Sequence, residues 1–144
     1  MGSQAPDLVF TKHIGNPKDY NHETTTLKSS ELAGNDYQKA LLIFYESGCG
    51  QCENLLQQLP GNYEFLKKRG IRVISISADK DEVLFKSKSE NFPWKKDAFC
   101  DYEGIKGSNF INYAVSGTPT MFLLDKTGKI ILRTASFQEV LDNK

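Results

Sequence analysis

The chain predicts an α/β domain with a central mixed β-sheet flanked by helices, and three stretches carry that expectation. "ALLIFYES" (40–47) is an apolar run of strand length without polar alternation, which suits a strand covered on both faces. From Cys52 the pattern turns helical, with Cys52, Leu55, Leu56 and Leu59 at i, i+3, i+4 and i+7. "IRVISISA" (71–78) then returns to a β-branched strand, so the two strands should run parallel through a right-handed crossover.

The other elements follow in order. "MGS" reads as a cloning scar, and residues 1–6 as a scar or disordered tail. "DLVFTK" (7–12) and "TTTLKS" (24–29) are β-prone, and the turn-rich "GNPKDYNHE" between them predicts a hairpin with a long polar loop. "SSELAGN" (29–35) fits one helical turn ending at Gly34. Pro60-Gly61 should kink or stop the first long helix, "NYEFLKKR" resumes it, and Gly70 caps it. "DKDEVLFKSKSEN" (79–91) reads as a solvated helix with an acidic first turn. "FPWKKDAFCDYEG" reads as irregular and "SNFINYAV" (108–115) as a short helix. "PTMFLLD" (119–125) and "KIILRT" (129–134) form a hairpin across "KTG", and "SFQEVLDN" ends the chain as a helix capped by Ser136. The whole reads as one domain over 7–144, an N-terminal hairpin extension (7–39) followed by a core (40–144).

With 144 residues, 39% of them hydrophobic, including nine Phe, six Tyr and one Trp, the chain can build a real core. A domain of this size buries about 68–70% of its unfolded surface and needs no disulfide staples. Eighteen basic residues balance eighteen acidic ones without a basic block, which gives no electrostatic reason to expect nucleic acid as a partner. No apolar stretch approaches the roughly 20 residues of a membrane span. "MGSQAPDL" lacks the regions of a signal peptide, and a removed signal or lipid anchor remains compatible with it.

"GCGQC" (48–52) holds two of the three cysteines. It falls where the first core strand gives way to its helix, with Cys49 at or beside the N-cap. Unpaired amides and the positive dipole end favour a thiolate there. Cys52, one turn on, begins the apolar stripe. An exposed thiolate can attack, and a shielded thiol can then resolve the mixed disulfide. Two other readings stand beside this one. The pair could be half of a zinc site, with Cys100, His13 and His22 as the remaining candidates, although there is no second C-x-x-C and no H-x3-5-H pair. A structural disulfide would close so short a loop that it removes little chain entropy. Further on, Pro119 in "SGTPT" (116–120) stands at the entry of an apolar strand. It is either a trans proline starting the strand or a cis Thr118-Pro119 bond presenting backbone groups beside Cys49.

"LLIFYESGCGQC", "IRVISISAD" and "YAVSGTPTMFLLDKTGKII" together resemble thioredoxin-fold thiol-disulfide oxidoreductases, the TlpA-like group of the bacterial envelope most closely. The match runs from about Ala40 to the end. The hairpin and "LKSSELAG" are similar to the extension that group places before its core. The resemblance implies a thioredoxin-like fold and a protein-disulfide reductase. In it Cys49 attacks, Cys52 resolves, Thr118 and cis-Pro119 line the substrate groove, and Gly50 and Gln51 tune the potential. It implies protein thiol or disulfide substrates and an upstream electron-donor protein. It also implies a periplasmic or envelope location, no cofactor and no metal. The family's usual task is reducing disulfides of other envelope proteins, apocytochromes among them. Three features depart from the pattern. Gly48 replaces an aromatic residue, the final helix is short, and Ile43 stands where thioredoxins proper bury an acid beneath the pair.

Two alternatives accompany this reading, a redox-inert module that uses the pair to capture a metal or partner and a thioredoxin-fold peroxide reductase. Of the remaining residues, Cys100 reads as a small buried hydrophobe, Trp94 as core or groove wall, and Glu53 as a surface carboxylate. His13 and His22 read as loop residues, and the charges of "KDEVLFKSKSE" as a solvated helix face.

Overall fold

The computed structural model describes the backbone of residues 2–14 and 21–143 and, outside 11–14 and 21–24, their side chains. Strands β1 (Leu8–Ile14) and β2 (Asn21–Leu27) pair antiparallel. Both are longer than their apolar content suggests, so the backbones of His13 and His22 face each other in the ladder instead of lying in a loop. The rest of the expected loop, 15–20, falls outside the described residues. A 3-10 turn at Ser29–Glu31 then leads into the core.

The core contains β3 (Lys39–Tyr45), α1 (Gly50–Lys68), β4 (Ile71–Ser77), α2 (Glu82–Ser89), β5 (Ala98–Cys100), α3 (Ser108–Asn112), β6 (Thr120–Leu124), β7 (Ile130–Thr134) and α4 (Phe137–Asp142). Five strands form one mixed sheet in the order β5-β4-β3-β6-β7. Strand β3 runs parallel to β4 and antiparallel to β6, as strand–helix–strand and closing-hairpin connections require.

The continuous apolar run of β3 fits its central place, since residues Ala40 to Tyr45 are all 0% exposed. Leu41, Ile43 and Tyr45 point into the layer shared with α1 and α4, against Leu59, Leu66, Phe137 and Val140. Ala40, Leu42 and Phe44 point the other way, into a layer closed by Leu8, Phe10, Phe110 and Tyr113. Each large apolar side chain so enclosed contributes about 1.5–3 kcal/mol. The extension and α3 therefore share the cover of that face of the sheet.

Three local expectations change. Helix α1 runs through Pro60 as one element, because the buried Leu55, Leu56, Leu59 and Leu66 stripe needs an unbroken helix while Pro60 itself faces out. The segment read as irregular contains the short strand β5, whose three residues pair with Ser75–Ser77 of β4. Trp94 is core: it is 2% exposed, stacks on Phe92 with ring centres 4.5 Å apart, and donates to Ser75 Oγ at 2.9 Å. Residues 2–6, expected as a tail, lie against the sheet. The Gly2 amide donates to the Ile130 carbonyl at 2.9 Å, the Ile130 amide donates to the Ser3 carbonyl at 2.9 Å, and Ala5 is buried.

Candidate active site

The carboxyl ends of the parallel strands β3 and β4 lie side by side, the usual place for a site in such a sheet. The chain leaves β3 through Glu46, Ser47 and Gly48. Gly48 has φ +84°, which turns the backbone sharply into α1 without the penalty a side chain would bring. Cys49 is the N-cap of α1, with its Sγ accepting from the Cys52 amide at 3.3 Å. A sulfur there does the work of a capping oxygen, and negative charge on it is favoured by the helix end.

The two thiols sit in different surroundings. Cys49 is half-buried and Cys52 is 0% exposed among Tyr45, Leu55 and Leu56. Burial works against ionising Cys49. Hydrogen bonds from the Cys52 thiol and amide, from Thr118 and from the Gln51 amide outweigh it and hold Cys49 below the ordinary thiol range. Burial, and then the neighbouring Cys49, push Cys52 up to about 11. The pair thus consists of one thiol ready to ionise and one that holds its proton.

Opposite the pair stands the segment before β6. The Thr118-Pro119 peptide bond is cis. The Cys49 thiol donates to the Thr118 carbonyl at 3.5 Å, a link across 69 residues. Pro119 and Gln51 both line a cavity of about 440 Å³ that opens beside the pair. Gly50 is the first residue of α1 and is exposed. The structure therefore brings Cys49, Cys52, Thr118, Pro119 and Gln51 into one neighbourhood.

Two carboxylates fix the lead-in to Cys49. Asp79, just beyond β4 and 5% exposed, accepts from the Ser47 amide at 3.0 Å and from the Ser47 hydroxyl at 2.5 Å. Its own amide donates to Ser77 Oγ at 2.9 Å. Asp79 thus stands outside the solvated helix expected for 79–91, which starts only after its N-cap Asp81. Its position after a parallel strand was the available signal, and the partner 32 residues away was not visible. Glu53 is more than a surface carboxylate. One oxygen accepts from the Gly48 amide at 3.2 Å and the other pairs with Lys88 of α2, an interaction that holds the Glu53 carboxyl below its usual range. Lys88 correspondingly leaves the solvated face expected for its helix. Ile43 is buried in β3 between Ser75 and Met121, so no acid occupies that strand position beneath the pair.

Cys100 is partly buried, donates to the Asp79 carbonyl at 3.0 Å, and is pushed up to about 11 by burial. Among the described residues, no three His, Cys, Asp or Glu side chains cluster as a metal site, and no helix is long and apolar enough to cross a membrane. The side chains of His13 and His22 lie outside the described residues.

These thiols give a pH prediction. The Cys52 thiol of the reduced chain keeps its proton up to about pH 11, whereas in the unfolded chain it ionises near 9. The unfolded state therefore gains from deprotonation first, and stability present below pH 9 is lost as pH rises through 11. Urea titrations across that window should show this loss in the reduced chain and a smaller one after the pair is oxidised. Equal losses in both forms would contradict the assignment.

A family model described as AhpC/TSA family matches residues 1–133. The chain is similar to a thiol-disulfide oxidoreductase ResA of Bacillus cereus, with 28% identity over 132 residues, 91% of this chain and 67% of that protein. The thioredoxin domain of a thiol-disulfide oxidoreductase from Bacteroides vulgatus shares the fold, with a TM-score of 0.67 at 21% identity, over 96% of this chain and 91% of that one. A thiol:disulfide interchange protein from Bacteroides sp. gives 0.69 at 22% identity, over 96% and 84%.

Proposed function

The chain belongs to the AhpC/TSA family and is a thioredoxin-like thiol-disulfide oxidoreductase, and we propose that it reduces protein disulfides through Cys49 and Cys52 in the bacterial envelope. The observation that carries this reading is the asymmetry of the pair, a half-buried thiol held low at a helix N-cap beside a fully buried thiol held high. The envelope placement is supported by the TlpA-like resemblance of the three quoted stretches.

In the proposed cycle the Cys49 thiolate attacks one sulfur of a client disulfide. That bond breaks, the other client sulfur leaves as a thiolate and takes a proton, and a mixed disulfide joins Cys49 to the client. Cys52 then gives up its proton and attacks the Cys49 sulfur. The second client thiol is released, and a Cys49–Cys52 disulfide forms. Two electrons pass to the client, and a donor dithiol protein restores the pair. Thr118, Pro119, Gly50 and Gln51 form the wall against which the client lies.

Equilibration of the chain in graded dithiol buffers, scored by thiol labelling and mass, tests this. A reversible two-electron transition near about −270 mV is expected for a reductase. A midpoint near about −120 mV would instead make the chain an oxidant of its clients, and no reversible intrachain disulfide would remove the reading altogether.

A further inference from the structure

The cavity beside the pair extends along α1, away from the cysteines. Gln51, Asn54 and Gln58 lie at i, i+3 and i+7, one face of the helix, and all three line it. Leu55 and Phe137, both buried, form its floor, and the chain around Ser136 closes the far side. Among the described residues none of the three carboxamides is engaged by another group; Asn62 reaches the Gln58 backbone carbonyl, not its side chain. Glu139 of α4 is the one charged side chain in the lining.

A carboxamide offers both donors and an acceptor, so a row of them matches the N–H and C=O groups of an extended peptide whatever its sequence. Gln51 to Gln58 covers seven helical steps, about 10 Å. That length accommodates about three residues of extended chain. We propose that Asn54, Gln58 and Glu139 determine client choice: the carboxamides hold the client backbone for about three residues beside its cysteine, and Glu139 selects a basic side chain there. This rests on the reading of Cys49 and Cys52 as the exchanging pair. It adds that the clients are unfolded or extended segments with basic residues near the cysteine, bound by their backbone and not through an apolar anchor.

The test compares three substrates on the full chain: hydroxyethyl disulfide, which is too small to span the groove, and two disulfide-bonded peptides that differ only by Lys or Glu two residues from the cysteine. The wild type should prefer the lysine peptide by about threefold, in keeping with an exposed charge pair, and Glu139→Lys should reverse that order. The double variant Asn54→Ala, Gln58→Ala should lower the preference for either peptide over hydroxyethyl disulfide by about tenfold, through KM and not kcat. Peptide preferences that survive both variants in a chain active on hydroxyethyl disulfide would overturn the client-choice proposal alone. A wild type that turns over none of the three would overturn the oxidoreductase cycle and this proposal with it.

Discussion

Cys52→Ser is expected to stop turnover and leave the client bonded to Cys49. The first exchange needs only the Cys49 thiolate, and most of what lowers it stays: a serine hydroxyl can donate where the Cys52 thiol did, and the amide of residue 52 still caps the sulfur at 3.3 Å. The second exchange needs a sulfur at position 52, and a serine hydroxyl does not replace it. Steady-state reduction should fall on the order of 10⁴-fold or more, the scale seen when a reacting group is removed. Non-reducing mass analysis should find one client per chain, released by dithiothreitol. The companion Cys49→Ser should trap nothing. If Cys52→Ser turned over normally, or if the adduct formed in the Cys49→Ser chain, the order of attack would be wrong.

The second large effect is expected at Asp79. Alanine there removes the acceptor for both the amide and the hydroxyl of Ser47, in a position only 5% exposed. Hydrogen bonds to a charged group contribute about 1.5–3 kcal/mol each, and both half-buried Ser47 donors lose their partner. Asp79→Ala should therefore destabilise the chain by about 3 kcal/mol or more. Asp79→Asn, which retains an acceptor for the Ser47 amide, should lose about half as much. Because Ser47 and Gly48 are the lead-in to Cys49, the alanine variant should also shift the Cys49 pKa, read from the pH dependence of thiolate absorbance. Stability within about 0.5 kcal/mol of wild type, the range of ordinary surface changes, would show that this contact does not hold the loop.

Features with a local physical cause could be read before any coordinates. Six consecutive buried residues of β3 look apolar because both faces are covered, and Cys49 caps α1 because a strand, a glycine and an apolar heptad meet there. The cis Thr118-Pro119 bond was one of two forms the sequence allowed, and the cis form is the one found. Features created by distant partners were not legible. Pro60 argues locally for a break, yet Leu59 and Leu66 must both reach the same sheet, and burial prevails over propensity. Strand β5 is three residues with no pattern of their own, defined only by the neighbouring β4. Asp79 looks like part of an acidic helix start until Ser47 is placed beside it. Asn54, Gln58 and Glu139 are ordinary surface residues in one dimension and share a wall only once α4 is docked.

The two margins of the sheet also have a consequence. On one side β5 is only three residues long, and on the other Gly2 and Ser3 already occupy the groups of Ile130 while Gln4 bridges to Lys129. A strand of a second molecule would find only three residues to pair with at β5 and an occupied start at β7. For extended clients of the kind proposed above, these blunted margins would discourage the chain from becoming a seed for their aggregation.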